Sequence, residues 1–417
     1  MPPAAMKKQK WNRHDFLWML SLFGTAVGAG ILFLPINAGI GGLWPLLIMA
    51  AIAGPMTFYA HRGLCRFILS SQRPGSNITE VVDERFGKGA GALITVLYFL
   101  SIYPIVLIYA VGSTNTVDSF LVNQLGFAQL PRPLLSGILV LALMACILVG
   151  EKIMLKVTEW LVYPLILILV FISLYLIPNW NLSIITSSHF SIADISLTVW
   201  MILPVMVFAF NHGPMISYFS QAQQREYGDK APEKAGRILK GTAACLWIFV
   251  MLFVFSCVFS LTPADMNQAK EDNISILSYL ANTMDTPFIS YFGPIIAFTA
   301  IASSFFGHYL GAVEGLRGIV EKCCAGHGKN LNYKKLHVAI TVFMFLTCWL
   351  AAIVNPSILS LIETISGPII AIILFIMPMC AVYMVPALSR YRGQISNIFV
   401  LVIGAVTVLS AITTFLF

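Results

Sequence analysis

Charge is scarce in this sequence. Asp, Glu, Lys and Arg make up 10% of its 417 residues and hydrophobic types 58%, against about 25% charged in a soluble globular domain, so a fold with a water-facing surface all round is excluded. Long polar stretches are missing too. The widest gaps between apolar segments, 220–237 and 262–287, are too short to bury a core and read as connectors, which excludes a second, soluble domain. The eight cysteines lie in apolar segments (Cys146, Cys245, Cys257, Cys348, Cys380) or beside basic stretches (Cys65, Cys323, Cys324). No disulfide framework is expected from that placement, and Cys323 with Cys324 lacks the spacing of a CxxC metal or redox site. There is no HExxH helix and no convincing Ser and Lys dyad, so an intramembrane enzyme lacks support. A cleavable leader is not expected, because the basic tail runs straight into an apolar segment without a small-residue cleavage site.

What is present is a series of eleven apolar segments, near 15–41, 43–68, 91–122, 133–150, 155–178, 194–220, 238–261, 288–316, 337–354, 358–382 and 395–416. Most reach the ~20 residues that cross a bilayer. Threaded alternately through a membrane, they put 23 of the 25 Lys and Arg on one side and leave Arg132 and Lys270 on the other. The inside set comprises Lys7, Lys8, Lys10 and Arg13, five between Arg62 and Lys88, Lys152 and Lys156, five between Arg225 and Lys240, five between Arg317 and Lys335, and Arg390 with Arg392. The positive-inside rule then predicts an all-α, multi-pass protein with a cytoplasmic N-terminus and, the span count being odd, a C-terminus outside. The net charge of +7 is accounted for by this orientation rather than by nucleic acid.

Two spans carry features that a continuous helix tolerates poorly. The first holds Gly24-Thr25-Ala26-Val27-Gly28-Ala29-Gly30, three glycines in seven residues at mid-membrane depth, where each weakens the helix. Close packing through small residues is the plain alternative. The sixth holds Phe210-Asn211-His212-Gly213-Pro214, two polar side chains, a glycine and a proline in an otherwise apolar run. Spans one and six cross in opposite directions, and paired interruptions in such positions mark an inverted-repeat transporter. Half-helix N-termini offer N–H groups to a carboxylate, and freed carbonyls take an ammonium or a metal cation, so a zwitterionic amino acid suits the site. Residues 1–14 would be a tail, 15–178 the first repeat, 194–382 the second, and 395–416 an eleventh helix outside the symmetry.

Polar residues inside the membrane are expected to be functional by default. Asn211 and His212 are candidates for substrate contact or gating, against a purely structural cap of the break. Glu363 in the tenth span is a gate, a proton-carrying carboxylate or a solvated group. Asp118 reads as solvated, and His308 and Glu314 as structural or inner-gate hydrogen-bonding groups. Tyr98, Tyr103 and Tyr109 of the third span are aromatics for packing or ligand contact, and spacing does not say which faces a cavity. Ser303 and Ser304 ordinarily would bond back to the preceding turn.

With these residues in view, the chain resembles the hydroxy and aromatic amino acid permease family, most closely its serine-transporter branch. The resemblance runs from about residue 15 to the end. It is carried by Gly24 to Gly30 continuing through Leu34-Pro35-Ile36-Asn37-Ala38-Gly39, by Pro204 to Phe208 with Asn211-His212, by Ser260-Leu261-Thr262-Pro263-Ala264-Asp265, by Asn273 to Leu280, and by Phe306-Gly307-His308-Tyr309-Leu310-Gly311. It implies the five-plus-five inverted repeat with broken helices one and six, in a bacterial inner membrane, importing an L-amino acid with a cation. Serine or threonine would be the substrate, with an aromatic amino acid as the alternative; a membrane sensor would be expected to carry a soluble output domain. Ala26, Gly28, Ala29 and Gly30 would hold the carboxylate through backbone N–H groups, Phe208, Ala209, Asn211 and His212 the ammonium and side chain, and Thr25 would join the substrate-binding set. Members of the serine branch tend to carry serine in place of Gly213 and lysine in place of Ser303. In sodium-coupled members of the wider superfamily, hydroxyls of the eighth helix and carbonyls of the broken first helix form an all-oxygen site. Gly24, Val27, Ala300, Ser303 and Ser304 have that spacing here, which favours sodium over the proton as coupling cation, with Glu363 or His212 as proton carriers otherwise.

Overall fold

A computed structural model describes residues 10–148, 151–181, 191–284, 286–326 and 331–416. Lys7, Lys8 and Lys329 of the basic set, and the side chains of Lys152 and Lys156, lie outside the described residues. Helices run through all eleven apolar segments among the described residues. The first span is a bent pair, Arg13–Ala26 and Ala29–Gly41, at 53° to one another. The second to fifth are Leu43–Ile68, Ile78–Ser119, Arg132–Leu148 and Glu151–Tyr175. A 69-residue apolar run, Ile192–Ser260, contains both the sixth span, broken between Ile192–Ala209 and Ile216–Tyr227, and the seventh, Ala231–Ser260. It turns back at Gly228, whose φ of 53° is a backbone state that suits glycine. The eighth to eleventh are Pro287–Gly326, Tyr333–Val354, Ile358–Met384 and Ile395–Leu416.

The basic stretches meet at one end of the bundle. Lys234 of the seventh span pairs with Asp15 of the first at 2.6 Å, with side chains 2% and 0% exposed, and the Tyr227 hydroxyl donates to the same carboxylate. Losing one partner of so buried a pair costs about 3–5 kcal/mol. Lys322 donates to the Thr79 carbonyl at 2.9 Å, and Arg66 to Gln394 at 3.2 Å. The opposite end is tied by amides around Arg132, which donates to Asn115, which in turn donates to the Asn273 carbonyl and to Asn355.

Several helices overrun the segments expected from hydropathy, and the two connectors are largely helical. The eighth helix has 40 residues, about 60 Å, twice the ~30 Å hydrocarbon thickness, and the third, Ile78–Ser119, is two helices joined at a kink. The extra length at the start of the third is an amphipathic stretch opened by an Asn77/Glu80 capping box and set off by a kink at Gly87, φ 82°. Stretch 262–287 holds Pro263–Glu271 and Ile276–Thr283, started by a Thr262/Asp265 capping box and by Ser275. Caps and amphipathic turns of this kind do not register as apolar length. In the tenth span, Ile362–Ser366 and Ala371–Ile376 are wide π-helical turns.

Candidate functional site

The two breaks lie against each other at the centre of the bundle. In the first span the helix stops at Ala26, Val27 and Gly28 are extended, and a new helix starts at Ala29. Residues Gly24 to Gly30 are all buried. The Gly28 carbonyl accepts from the amides of Ile31 and Leu32, so those of Ala29 and Gly30 stand at the helix start, where N–H groups have no partner within the helix. Glycine is required by contact here. A Cβ on Gly30 would lie 2.6 Å from the Ala209 Cα and from the Phe208 ring, and one on Gly28 would lie 2.5 Å from Ser304 Cβ and 2.9 Å from the Tyr109 hydroxyl. Gly30 thus lets the first break touch the sixth span, and Gly28 lets it touch the third and eighth.

In the sixth span the amides freed by the break are taken by side chains. Asn211 Oδ1 accepts from the Gly213 amide at 2.9 Å, and His61 Nε2 of the second span accepts from the His212 amide at 3.0 Å. The two imidazoles stack, centroids 3.5 Å apart and 5° from parallel. His61 Nδ1 lies 2.7 Å from the Thr57 carbonyl, which can only accept; that nitrogen therefore carries the hydrogen, and the ring is neutral. His212 Nδ1 faces the Phe210 carbonyl at 3.3 Å. Its Nε2 is buried without a hydrogen-bond partner among the described residues.

The eighth span meets the first break through hydroxyls. Ser304 Oγ bonds the Thr25 carbonyl and lies 2.8 Å from the Tyr109 hydroxyl. Having one hydrogen, it gives that to the carbonyl and accepts from Tyr109. Ser303 Oγ bonds back to the Ala300 carbonyl at 3.0 Å and reaches the Gly24 carbonyl at 3.5 Å. The Val27 amide is spent on the Phe23 carbonyl. Gly24, Ala300 and Ser303 thus come together, while Ser304 turns to the Thr25 carbonyl and Tyr109 instead and Thr25 turns its own hydroxyl back to the Ser21 carbonyl. Glu363 sits apart, towards the amide-tied end, and accepts from Asn37 Nδ2 of the first span at 2.8 Å.

Under the sixth break lies a space of only about 10 Å³, bordered by Tyr98, Asn211 and Gly213, enough for one water at most. Of the three tyrosines, Tyr109 is at the first break, Tyr98 reaches Glu314, and Tyr103 packs between Phe99 and Phe343. Sequence reasoning passed over His61, because beside Arg62 it reads as the polar edge of a span, and Asn37, which has no local signal. A histidine one turn inside that basic edge was the available hint.

A profile of the tryptophan/tyrosine permease family matches residues 14–417. The chain is 52% identical over 406 residues to the serine transporter SdaC of Escherichia coli K12, covering 96% of this chain and 95% of that one. It has the same identity and coverage with the serine transporter SdaC of Shigella flexneri. Among solved structures, it superposes on MhsT in complex with L-phenylalanine with a TM-score of 0.59 at 14% identity, covering 97% of this chain and 99% of that one. It superposes on a manganese transporter of Eremococcus coleocola with a TM-score of 0.65 at 14% identity, covering 97% and 88%. At that identity the likeness is one of fold, the inverted repeat of membrane transporters with its first and sixth helices broken. The chain belongs to the tryptophan/tyrosine permease family.

Proposed function

We propose that this protein imports a small polar L-amino acid, serine first and threonine next, as an ion-coupled secondary transporter working by alternating access. The observation that carries this reading is the apposition of two broken helices at the buried centre, joined through Gly30 and Ala209. The serine transporters at 52% identity support the choice of substrate. The amides of Ala29 and Gly30, with Ala26 and Gly28 keeping the approach narrow, receive the carboxylate. Carbonyls at Phe208 and Ala209 receive the ammonium, and Asn211 and the partnerless Nε2 of His212 the side-chain hydroxyl. The Phe208 ring against Gly30 favours a small side chain over an aromatic one. Asn37 and Glu363 close the outer side.

Sodium is the proposed coupling cation, held by carbonyls of Gly24, Val27 and Ala300 and by the hydroxyls of Ser303 and Ser304, an oxygen set suited to a hard cation. The repeats are 15–178 and 194–382, with 395–416 outside them. The protein sits in a bacterial inner membrane with its basic end in the cytoplasm. A radiolabelled panel of amino acids in proteoliposomes, with and without a sodium gradient, is the test. Counterflow of serine but of no aromatic amino acid supports the substrate, and the absence of any counterflow overturns the transporter. Ser303→Ala should raise the sodium needed for half-maximal uptake while leaving serine affinity at saturating sodium nearly unchanged; uptake indifferent to sodium would rule that cation out.

A further inference from the structure

The buried carboxyl of Glu314 has no place in the site just described. It lies in the eighth span, 9% exposed, and its two oxygens face two hydroxyls. Ser217 Oγ of the sixth span is 2.9 Å from Oε1, and the Tyr98 hydroxyl of the third span is 2.9 Å from Oε2. Ser217 and Tyr98 are themselves 1% and 2% exposed. Ser217 also accepts from the Ile78 amide at 3.1 Å, so one residue gathers three helices at the basic end. No Lys or Arg lies within pairing distance of Glu314 among the described residues.

Position gives this cluster its meaning. Tyr98 borders the small space under Asn211 and Gly213. Glu314 borders a polar vestibule of about 210 Å³ opening at the basic end, shared with Asn77, Gln221, Arg317 and Glu321. The hydrogen bond between them is therefore the partition between site and vestibule. The titratable and charged groups around it are Glu80 of the third span, Tyr218 of the sixth, and His308, Arg317 and Glu321 of its own helix. His308 is occupied with the Ser304 carbonyl, and Lys322 with Asp83. Arg317 is exposed, where water screens it.

We propose that the Glu314 carboxyl is a proton-binding site, filled while the basic end is closed and emptied when that end opens. The inference rests on the transporter reading for the meaning of opening. A carboxylate largely withdrawn from water, its two oxygens bonded only to neutral hydroxyls, is disfavoured, so the closed partition holds the acid. The proton then sits on Oε2 and is donated to the Tyr98 oxygen, whose own hydrogen, given to Oε2 by the hydroxyl when the group is charged, turns to the small space that Tyr98 borders, while Ser217 still donates to Oε1. When the third and sixth helices part from the eighth, vestibule water reaches the group, the O–H bond breaks, the proton leaves to water, and the carboxylate stays behind facing Arg317. Reclosure takes one proton back. Low pH on this side closes the gate and high pH opens it, independently of the cation at Ser303.

The test uses full-length protein carrying Val313→Cys, beside Glu314 in the vestibule wall, with Cys323→Ser, Cys324→Ser and Cys380→Ser to silence the accessible native thiols. The labelling rate of this cysteine is measured from about pH 5 to about pH 9 and normalised at each pH to the denatured chain. It is expected to rise about tenfold or more, within the tenfold per pH unit that one proton allows. Glu314→Gln keeps the shape but cannot ionise, and should flatten the profile. Tyr98→Phe should label faster throughout yet keep the pH dependence. A flat profile in the parent, or a Glu314→Gln profile as steep as the parent's, overturns the proposal. A purely structural Glu314 would shift rates equally at every pH, and a matching melting temperature excludes misfolding of the Gln variant. Because labelling needs no transport, intact pH dependence without serine uptake would overturn the transporter reading and leave this one standing.

Discussion

Single atoms decide how closely the two breaks approach. Gly28→Leu places a branched side chain where a Cβ alone would lie 2.5 Å from Ser304. Overpacking of that kind costs about 1–3 kcal/mol, and serine binding by the purified variant is expected to be lost with near-normal membrane insertion. Retained affinity, measured by scintillation proximity, would mean that the glycine serves packing only. His212 is expected to matter through its free nitrogen. His212→Ala should lower transport about tenfold or more, the scale of losing a hydrogen bond in a buried site, and His212→Asn should be milder, with both expressed at normal levels. The stack on His61 adds a corollary. His61→Ala leaves the His212 amide without an acceptor and should destabilise the protein by about 1–3 kcal/mol, read as a lower melting temperature in detergent.

Among the elements, what could be read in advance was whatever leaves a local mark. Glycines at 24, 28 and 30, and Asn211, His212 and Pro214 interrupt apolar runs, so both breaks were legible. The long-range polar pairs were not: Tyr98 meets Glu314 across 216 residues and Asn37 meets Glu363 across 326, pairings that only the folded bundle creates. The short outer helices escaped for a different reason, being marked by caps rather than by hydrophobicity. Asp265 tests that point. Although burial opposes its charge, hydrogen bonds from the Thr262 hydroxyl and amide and from Tyr279 hold its carboxyl below the ordinary 3.8, while burial and Asp265 push Tyr279 up to about 12. A carboxyl depressed in the folded state stabilises above its unfolded value and loses that contribution as pH falls through the folded one. Amide protection in Pro263–Glu271, taken relative to the intrinsic exchange rate at each pH, should therefore fall below about pH 4. Thr262→Ala should speed exchange about fivefold at neutral pH, the equivalent of the ~1 kcal/mol that such a cap contributes. Exchange unaffected by the substitution would show that packing alone holds this helix.

For the whole molecule, the end at which Lys234, Lys322 and Arg66 meet their partners is the one that the positive-inside rule assigns to the cytoplasm. A reporter fused after Phe417 should read outside and one inserted near Asp229 inside; two cytoplasmic readings would remove the eleven-span topology. The wide turns of the tenth span carry a consequence for its ancestry and for engineering. A π turn spends one residue more than an α turn, so Ala371–Ile376 contains what amounts to a one-residue insertion absorbed without displacing either flank. Every helical wheel drawn across it at 3.6 residues per turn is out of phase by about 100° beyond that point. Deletion of a single residue ordinarily scrambles a helix face. Removing Ile372 should instead let the turn tighten to α with Met377–Met384 still in register, and the shortened chain should insert and fold where a deletion inside Met377–Met384 does not.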